Sequence, residues 1–273
     1  MKVDLHSHTY YSDGCFSPRE LVEHAKENGV EVFALTDHDT CYGDDEIFEI
    51  AKEYGIYVIK GIEFSTRCNG EPIHIVGLCK GNKISDALRE YSAAFSDVRV
   101  KRARKMMTDI SNYYNVKINF DTLFVSKSVT RKNMLDNLKA NNPDRPFPEL
   151  KKMVGNHSPC YIPASELTVK EGLELLDSFG CIKILAHPCL IEKQETLDEI
   201  IGLGFDGIEC YYPSMGDRSD YFKGLAKKYN LFISGGSDCH GDDDSSDHAM
   251  IGTSTINEEE FEVIRKRLGI EIK

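Results

Sequence analysis

DLHSHTYYSDG, from Asp4 to Gly14, places two histidines one residue apart at the end of a short apolar run, with Asp13 a few residues on. The run before it, KVDL (Lys2–Leu5), reads as a strand. The stretch after it, SPRELVEHAKENG (Ser17–Gly29), reads as a helix. Ser17 is its N-cap, Pro18 lies in the first turn, Glu20 takes the capping-box position and Gly29 ends it. One strand–loop–helix unit therefore opens the chain, and the histidines stand at the carboxyl end of its strand.

The unit repeats along the sequence. Further strands are expected at VFALT (Val32–Thr36), IYVIKGIEF (Ile56–Phe64), IHIVGL (Ile73–Leu78), IKILA (Ile182–Ala186), GIECYY (Gly207–Tyr212) and LFISG (Leu231–Gly235). Helical patterns closed by glycine lie between several of them, at Glu46–Gly55, before Gly180 and at Thr196–Gly204. Short strands that are apolar throughout and alternate with helices predict a parallel sheet covered on both faces. Seven of them predict an α/β protein with a closed or nearly closed (β/α)7 barrel, by analogy with the eight-stranded form. An open doubly wound sheet is the alternative, but no Gly-rich dinucleotide fingerprint supports it.

The rhythm stops between Asp97 and Pro163. Val98–Met107 is basic and helical, Arg131–Asn142 is a second helix, and Pro143–Pro148 is a proline-rich turn. The expected organisation is a discontinuous barrel domain, residues 1–96 and 164–273, with a mostly helical insertion at 97–163. The acidic run DDDSSD (Asp242–Asp247) reads as a solvated loop.

Bulk composition narrows the function. With 273 residues and 41% apolar content the chain can bury a sizeable core. A net charge of −12 argues against stable binding to long nucleic acid, while small anionic substrates remain open because bound cations reverse the local charge. Nine scattered cysteines with no CxxC pair read as reduced thiols, most of them small buried hydrophobes. No targeting segment and no membrane-length apolar run is apparent, so a cytoplasmic location off the membrane is expected.

The chemistry lies in the histidines. His6, His8, His38, His74, His187 and His240 all fall at or beside a strand, accompanied by Asp13, Asp37, Asp39, Glu63 and Asp238. Residues i and i+2 of a strand share a face, so His6 and His8 project together, as do Asp238 and His240. Imidazole with carboxylate suits Mn, Fe or Zn, and this set exceeds one tetrahedral site. Most of these positions sit at strand carboxyl ends, the rim where barrel active sites lie. His74 is the exception, at the start of its strand. Either that strand is antiparallel or it begins earlier. His24, His157 and His248 have no such context and read as ordinary residues. Asp37 and Asp39 flank His38 and cannot both point inward with it, so they read as orienting or structural groups.

Taken in order, HSH with its SDG, then TDHDT, GIEFS, IHIVGL, LAHP and GGSDCHG resemble the PHP (polymerase and histidinol phosphatase) superfamily. The likeness runs nearly end to end over the barrel segments, and the insertion with its TRKN stretch is most similar to stand-alone TrpH-like phosphoesterases. The resemblance implies a distorted seven-stranded TIM-like barrel with a small inserted domain. It also implies two or three divalent ions, with Mn favoured over Fe or Zn. Carried over by position, His6 and His8 hold one ion with Glu63 and Asp238. Glu63 bridges to a second ion held by His74 and His187, and Asp13, His38 and His240 surround a third. The implied activity is metal-dependent hydrolysis of phosphate esters of nucleotides, either nucleoside 3',5'-bisphosphates or short oligonucleotides from the 5' end. The expected nucleophile is a metal-bridging hydroxide, with His38, Asp238 and His240 as candidate catalytic groups. Arg131 reads equally as a substrate-phosphate contact at a helix N-terminus or as a solvated arginine. The basic run Arg99–Lys105 reads as a solvated helix face or a guide for anions. Cys189 stands in LAHPCL where relatives often carry glycine followed by a basic residue, which puts a substrate contact in doubt. The alternatives are a histidinol-phosphate phosphatase and, from another class, a non-catalytic metal-binding regulatory module.

Overall fold

Each of the seven apolar runs forms a strand: β1 (Val3–Asp4), β2 (Val32–Leu35), β3 (Tyr57–Cys68), β4 (Glu71–Cys79), β5 (Cys181–Leu185), β6 (Gly207–Tyr211) and β7 (Phe232–Gly235). The structure, a computed structural model, describes residues 1–241 and 248–272, so the acidic run Asp242–Asp247 lies outside the described residues. The strands pair in chain order from β1 to β7. Past the ends of β1 and β7 the two edges meet: the Leu5 amide donates to the Gly235 carbonyl at 3.1 Å and the His8 amide to the Cys239 carbonyl at 2.9 Å. The sheet is thus a nearly closed α/β barrel, filled by side chains such as Leu5, Ala34, Ile59, Val76 and Ile184.

The expected all-parallel sheet needs one correction. β4 runs antiparallel to both β3 and β5, while the other neighbours are parallel. The cause is local. Asn69 and Gly70 both have positive φ, 51° and 83°, and form the two-residue turn that joins β3 to β4 as a hairpin. β4 also begins two residues before the apolar run, at Glu71. Both readings of His74 therefore hold: its strand starts earlier and descends from the rim, which puts His74 near the top beside Ser65 of β3. Gly70 has open space where a Cβ would sit, so a substitution there meets no clash and feels only the left-handed backbone. Gly70→Ala is expected to lower stability by about 1–2 kcal/mol. An unchanged urea midpoint would contradict the turn.

Ten helices complete the described fold: α1 (Pro18–Glu27), α2 (Asp44–Tyr54), α3 (Asp86–Tyr114), α4 (Phe120–Leu123), α5 (Arg131–Asn141), α6 (Phe147–Val154), α7 (Val169–Ser178), α8 (Gln194–Ile200), α9 (Ser219–Tyr229) and α10 (Glu258–Leu268). α1 carries the reciprocal Ser17–Glu20 capping box. α3 to α6 lie between β4 and β5 and share a separate apolar cluster that includes Met106, Ile110, Met134, Leu138 and Leu150. The expected insertion boundary at residue 97 falls inside α3, which spans 29 residues. Among the described residues no helix is long and apolar enough to cross a membrane.

Candidate metal centre

The rim above β1 carries His6 and His8 in a buried, extended segment. Its close fit against the chain after β7 depends on Gly236, where a Cβ would lie 2.3 Å from the His6 Cβ. His6 Nδ1 is hydrogen-bonded to Glu209 Oε1 at 2.9 Å, which leaves Nε2 facing inward. The Asp37 carboxylate accepts from the Thr9 amide at 2.8 Å and from the Ser12 hydroxyl at 2.6 Å, so it ties down the loop that carries both histidines. Asp39 turns the other way, to Arg99 and to the Ser65 amide.

Four groups of donor atoms meet on this rim, the last formed by Asp238, His240 and His248. In the first, His6 Nε2 lies 3.3 Å from both Glu63 Oε2 and Asp238 Oδ1. His8 Nε2 lies 3.3 and 3.0 Å from the same two oxygens. In the second, Glu63 Oε1 is 2.9 Å from His74 Nδ1 and 2.8 Å from His187 Nε2, while His38 Nδ1 is 2.9 Å from Glu63 Oε2. In the third, Asp13 faces His240 Nε2 at 3.1 Å and His38 Nε2 at 3.8 Å, with His8 alongside. All nine sequence-derived ligand candidates stand in one cluster, and Glu63 touches five of the imidazoles.

The hydrogen-bond inventory tests whether cations fit. Buried polar atoms are nearly always paired. His6 Nε2, His8 Nε2, His38 Nδ1, Glu63 Oε2 and Asp238 Oδ1 are buried without a hydrogen bond, and they converge on one another. Five unpaired donor atoms of this chemistry in one place fit divalent ions. Backbone strain agrees: Asp39, His187 and Asp238 have positive φ on the rim, a conformation that costs free energy and clusters at functional sites.

Electrostatics supply the reason. Burial alone would raise the carboxyls of Asp13, Glu63 and Asp238, but the surrounding imidazoles hold all three well below the usual range. Burial alone would also lower His8, yet Asp238 and Glu63 push it up to about 10. The buried carboxylates thus favour positive charge beside them, which divalent ions are suited to supply in place of protons.

A PHP domain model matches residues 4–145. The chain belongs to the PHP domain family. It is 32% identical to a 5'-3' exoribonuclease of Haemophilus influenzae, over 88% of this chain and 90% of that one. It is 25% identical to a phosphoribosyl 1,2-cyclic phosphate 1,2-diphosphodiesterase of Eggerthella lenta, over 88% and 95%. It is 26% identical to a 3',5'-nucleoside bisphosphate phosphatase of Chromobacterium violaceum, over 87% of each chain. The fold matches the solved structure of an amidohydrolase from Chromobacterium violaceum with bound sulfate, at a TM-score of 0.84 and 23% identity, covering 98% of this chain and 97% of that one. As a PHP protein the chain is a metal-dependent phosphoric ester hydrolase.

Several groups of this PHP site have no clear signal in the sequence. Glu209, in the middle of β6, holds His6 and accepts the His187 amide at 2.5 Å. The Tyr212 hydroxyl donates to Asp238 Oδ2 at 2.9 Å. His248, which its context marked as ordinary, stacks on His240 at 3.9 Å between centroids and approaches Asp238 Oδ2 at 3.6 Å. His24 stays on α1 beside Glu27, and His157 is exposed. The larger correction concerns the basic run. Arg99 and Arg102 are buried, 2% and 7% exposed, and line a cleft of about 230 Å³ above the cluster. Arg131 and Lys132 line the same cleft. The solvated-face reading fails for Arg99 and Arg102 because α3 packs across the rim.

Proposed function

We propose that this PHP protein hydrolyses phosphate esters of nucleotides, either nucleoside 3',5'-bisphosphates or the 5' end of short oligonucleotides. The observation that carries this reading is one cleft with two walls: unpaired imidazole and carboxylate atoms below, and the cations Arg102, Arg131 and Lys132 above, with Arg102 Nη1 buried without a hydrogen bond. Two or three divalent ions, with Mn favoured, would be held by His6, His8, Glu63 and Asp238, by Glu63, His74 and His187, and by Asp13, His38 and His240. Such ions supply Lewis acidity to the phosphoryl group and a hydroxide nucleophile at neutral pH.

The chain's own residues do the rest. Arg102 Nε donates to the Ile162 carbonyl at 2.8 Å, while its Nη1 is buried without a hydrogen bond. Burial, Arg99 and Arg131 push the Arg102 guanidinium down to about 9, so it stays charged at neutral pH and favours an anion beside it. Arg131 is braced by Asn156 Oδ1 at 2.5 Å and sits over the Tyr161 ring. Thr130 Oγ1 already accepts the Lys132 and Asn133 amides, so the side chains, rather than the helix N-terminus, hold the substrate's second phosphate. His38, Asp238 and His240 border the cleft, and we assign them the proton exchange with the substrate. We place the enzyme in the cytoplasm with a small phosphorylated substrate, which fits nine unpaired cysteines.

The test is a panel of adenosine 3',5'-bisphosphate, a short 5'-phosphorylated RNA and histidinol phosphate. Hydrolysis of the first two is expected to cease with chelator and return with Mn. Arg131→Met is expected to raise KM about 10- to 100-fold, the range for losing a charged hydrogen bond. Turnover of histidinol phosphate alone would overturn the reading.

A further inference from the structure

A second recess of about 190 Å³ opens beside the main cleft, and no step described so far uses it. The two cavities share Pro72, His74, Arg131, His187 and Leu190. Arg131 therefore forms one lip of the recess, and the metal-facing histidines His74 and His187 form the other. Its walls are apolar, from Pro72, Ile73, Ala186, Leu190 and Ile191. Polar groups stand at its edge. The Glu71 carboxylate, 7% exposed, is fixed by the Glu192 amide at 2.7 Å and the Thr196 hydroxyl at 2.7 Å, and Asn156 lies nearby. Leu190 is 42% exposed, an apolar side chain left open where the two cavities join.

We infer that this recess is a nucleobase subsite. The inference rests on the proposed nucleotide reading and goes further by naming what the enzyme recognises besides phosphate. A nucleotide with one phosphate at the His74–His187 side and another at Arg131 spans the mouth of the recess with its ribose. The base leaves that ribose sideways, between the two phosphates, where the recess opens. Apolar walls suit the faces of a planar heterocycle. A fixed carboxylate suits the N–H donors at its edge, because it retains acceptor capacity beyond the bonds it makes here. A phosphorylated ribose without a base leaves the exposed Leu190 surface wet and gains nothing from Glu71. The recess therefore selects base-bearing substrates over base-free ones.

The experiment compares the Mn-loaded enzyme on adenosine 3',5'-bisphosphate and on the same sugar bisphosphate with hydrogen in place of the base. The base-bearing compound is expected to show a kcat/KM higher by roughly tenfold or more, the scale at which apolar pockets discriminate. Leu190→Ala is expected to shrink the ratio between the two substrates, chiefly through KM. Equal kcat/KM for the two compounds in the unmodified enzyme overturns the inference, as does a Leu190→Ala loss that falls equally on both. Turnover of neither overturns the phosphoesterase reading, and the inference with it.

Discussion

Glu63→Gln is expected to remove essentially all hydrolytic activity, a fall of more than about 10³-fold, and to lower the bound metal by at least one ion per chain. The magnitude follows from the position of the carboxylate. Its Oε1 lies within 2.9 Å of His74 and His187, and its Oε2 within 3.3 Å of His6, His8 and His38. Among the described residues, no other acidic group spans both donor groups. Gln keeps the shape, so the β3 backbone, where the Glu63 amide donates to the Thr36 carbonyl at 3.1 Å, is undisturbed. What is lost is the negative charge that faces five imidazoles. The amide NH₂ then points at positions where cations bind, which is repulsive. Groups that only support a metal site cost about 10- to 100-fold when changed. A loss within that range would demote Glu63 to a supporting role. Elemental analysis of protein purified without chelator, together with an unchanged circular dichroism spectrum, separates loss of metal from loss of fold.

What the sequence revealed, and what it hid, follows from the range of each interaction. Strands buried on both faces of a barrel are apolar throughout, so KVDL, VFALT and their fellows announced themselves. Histidines at strand ends were equally visible, because the i, i+2 alternation is local. The direction of β4 was half legible: the place of His74 at its strand's start raised an antiparallel strand, and Asn69–Gly70 encodes the hairpin turn that makes it one. Arg99, Arg102 and Glu209 were hidden for another reason. A basic helical run looks solvated until something covers it, and the cover here is the rim of the barrel together with the loop around Val129. Glu209 looked like one strand residue among others because its partners, His6 and the His187 amide, come from β1 and β5 loops distant in sequence.

Arg99→Met is expected to destabilise the protein by about 3–5 kcal/mol, the cost of leaving one member of a buried ion pair alone. Arg99 pairs with Asp39 through Nε at 2.9 Å and through Nη2. Nη2 also donates to the Ser65 hydroxyl at 2.9 Å, and Nη1 to the Val129 carbonyl at 3.2 Å. One side chain on α3 is thereby fastened to the loop after β2, to β3 and to the segment leading into α5. Asp39 sits at a φ of 50°, and its other oxygen accepts the Ser65 amide at 2.8 Å, so it cannot swing out to water when Arg99 is gone. Removing both charges, as Arg99→Met with Asp39→Asn, is expected to recover part of the loss, because no buried charge is then left unpaired. Urea unfolding measures both. A change within about 0.5 kcal/mol would mean that Arg99 behaves as a surface residue after all. The same variant separates anchoring from metal binding. Arg102 stands one turn further along α3 and depends on that anchor, whereas every proposed metal ligand sits on the barrel. Arg99→Met should therefore raise KM for a bisphosphate substrate while metal content stays at the unmodified level, and a parallel loss of metal would show that α3 holds the rim itself together.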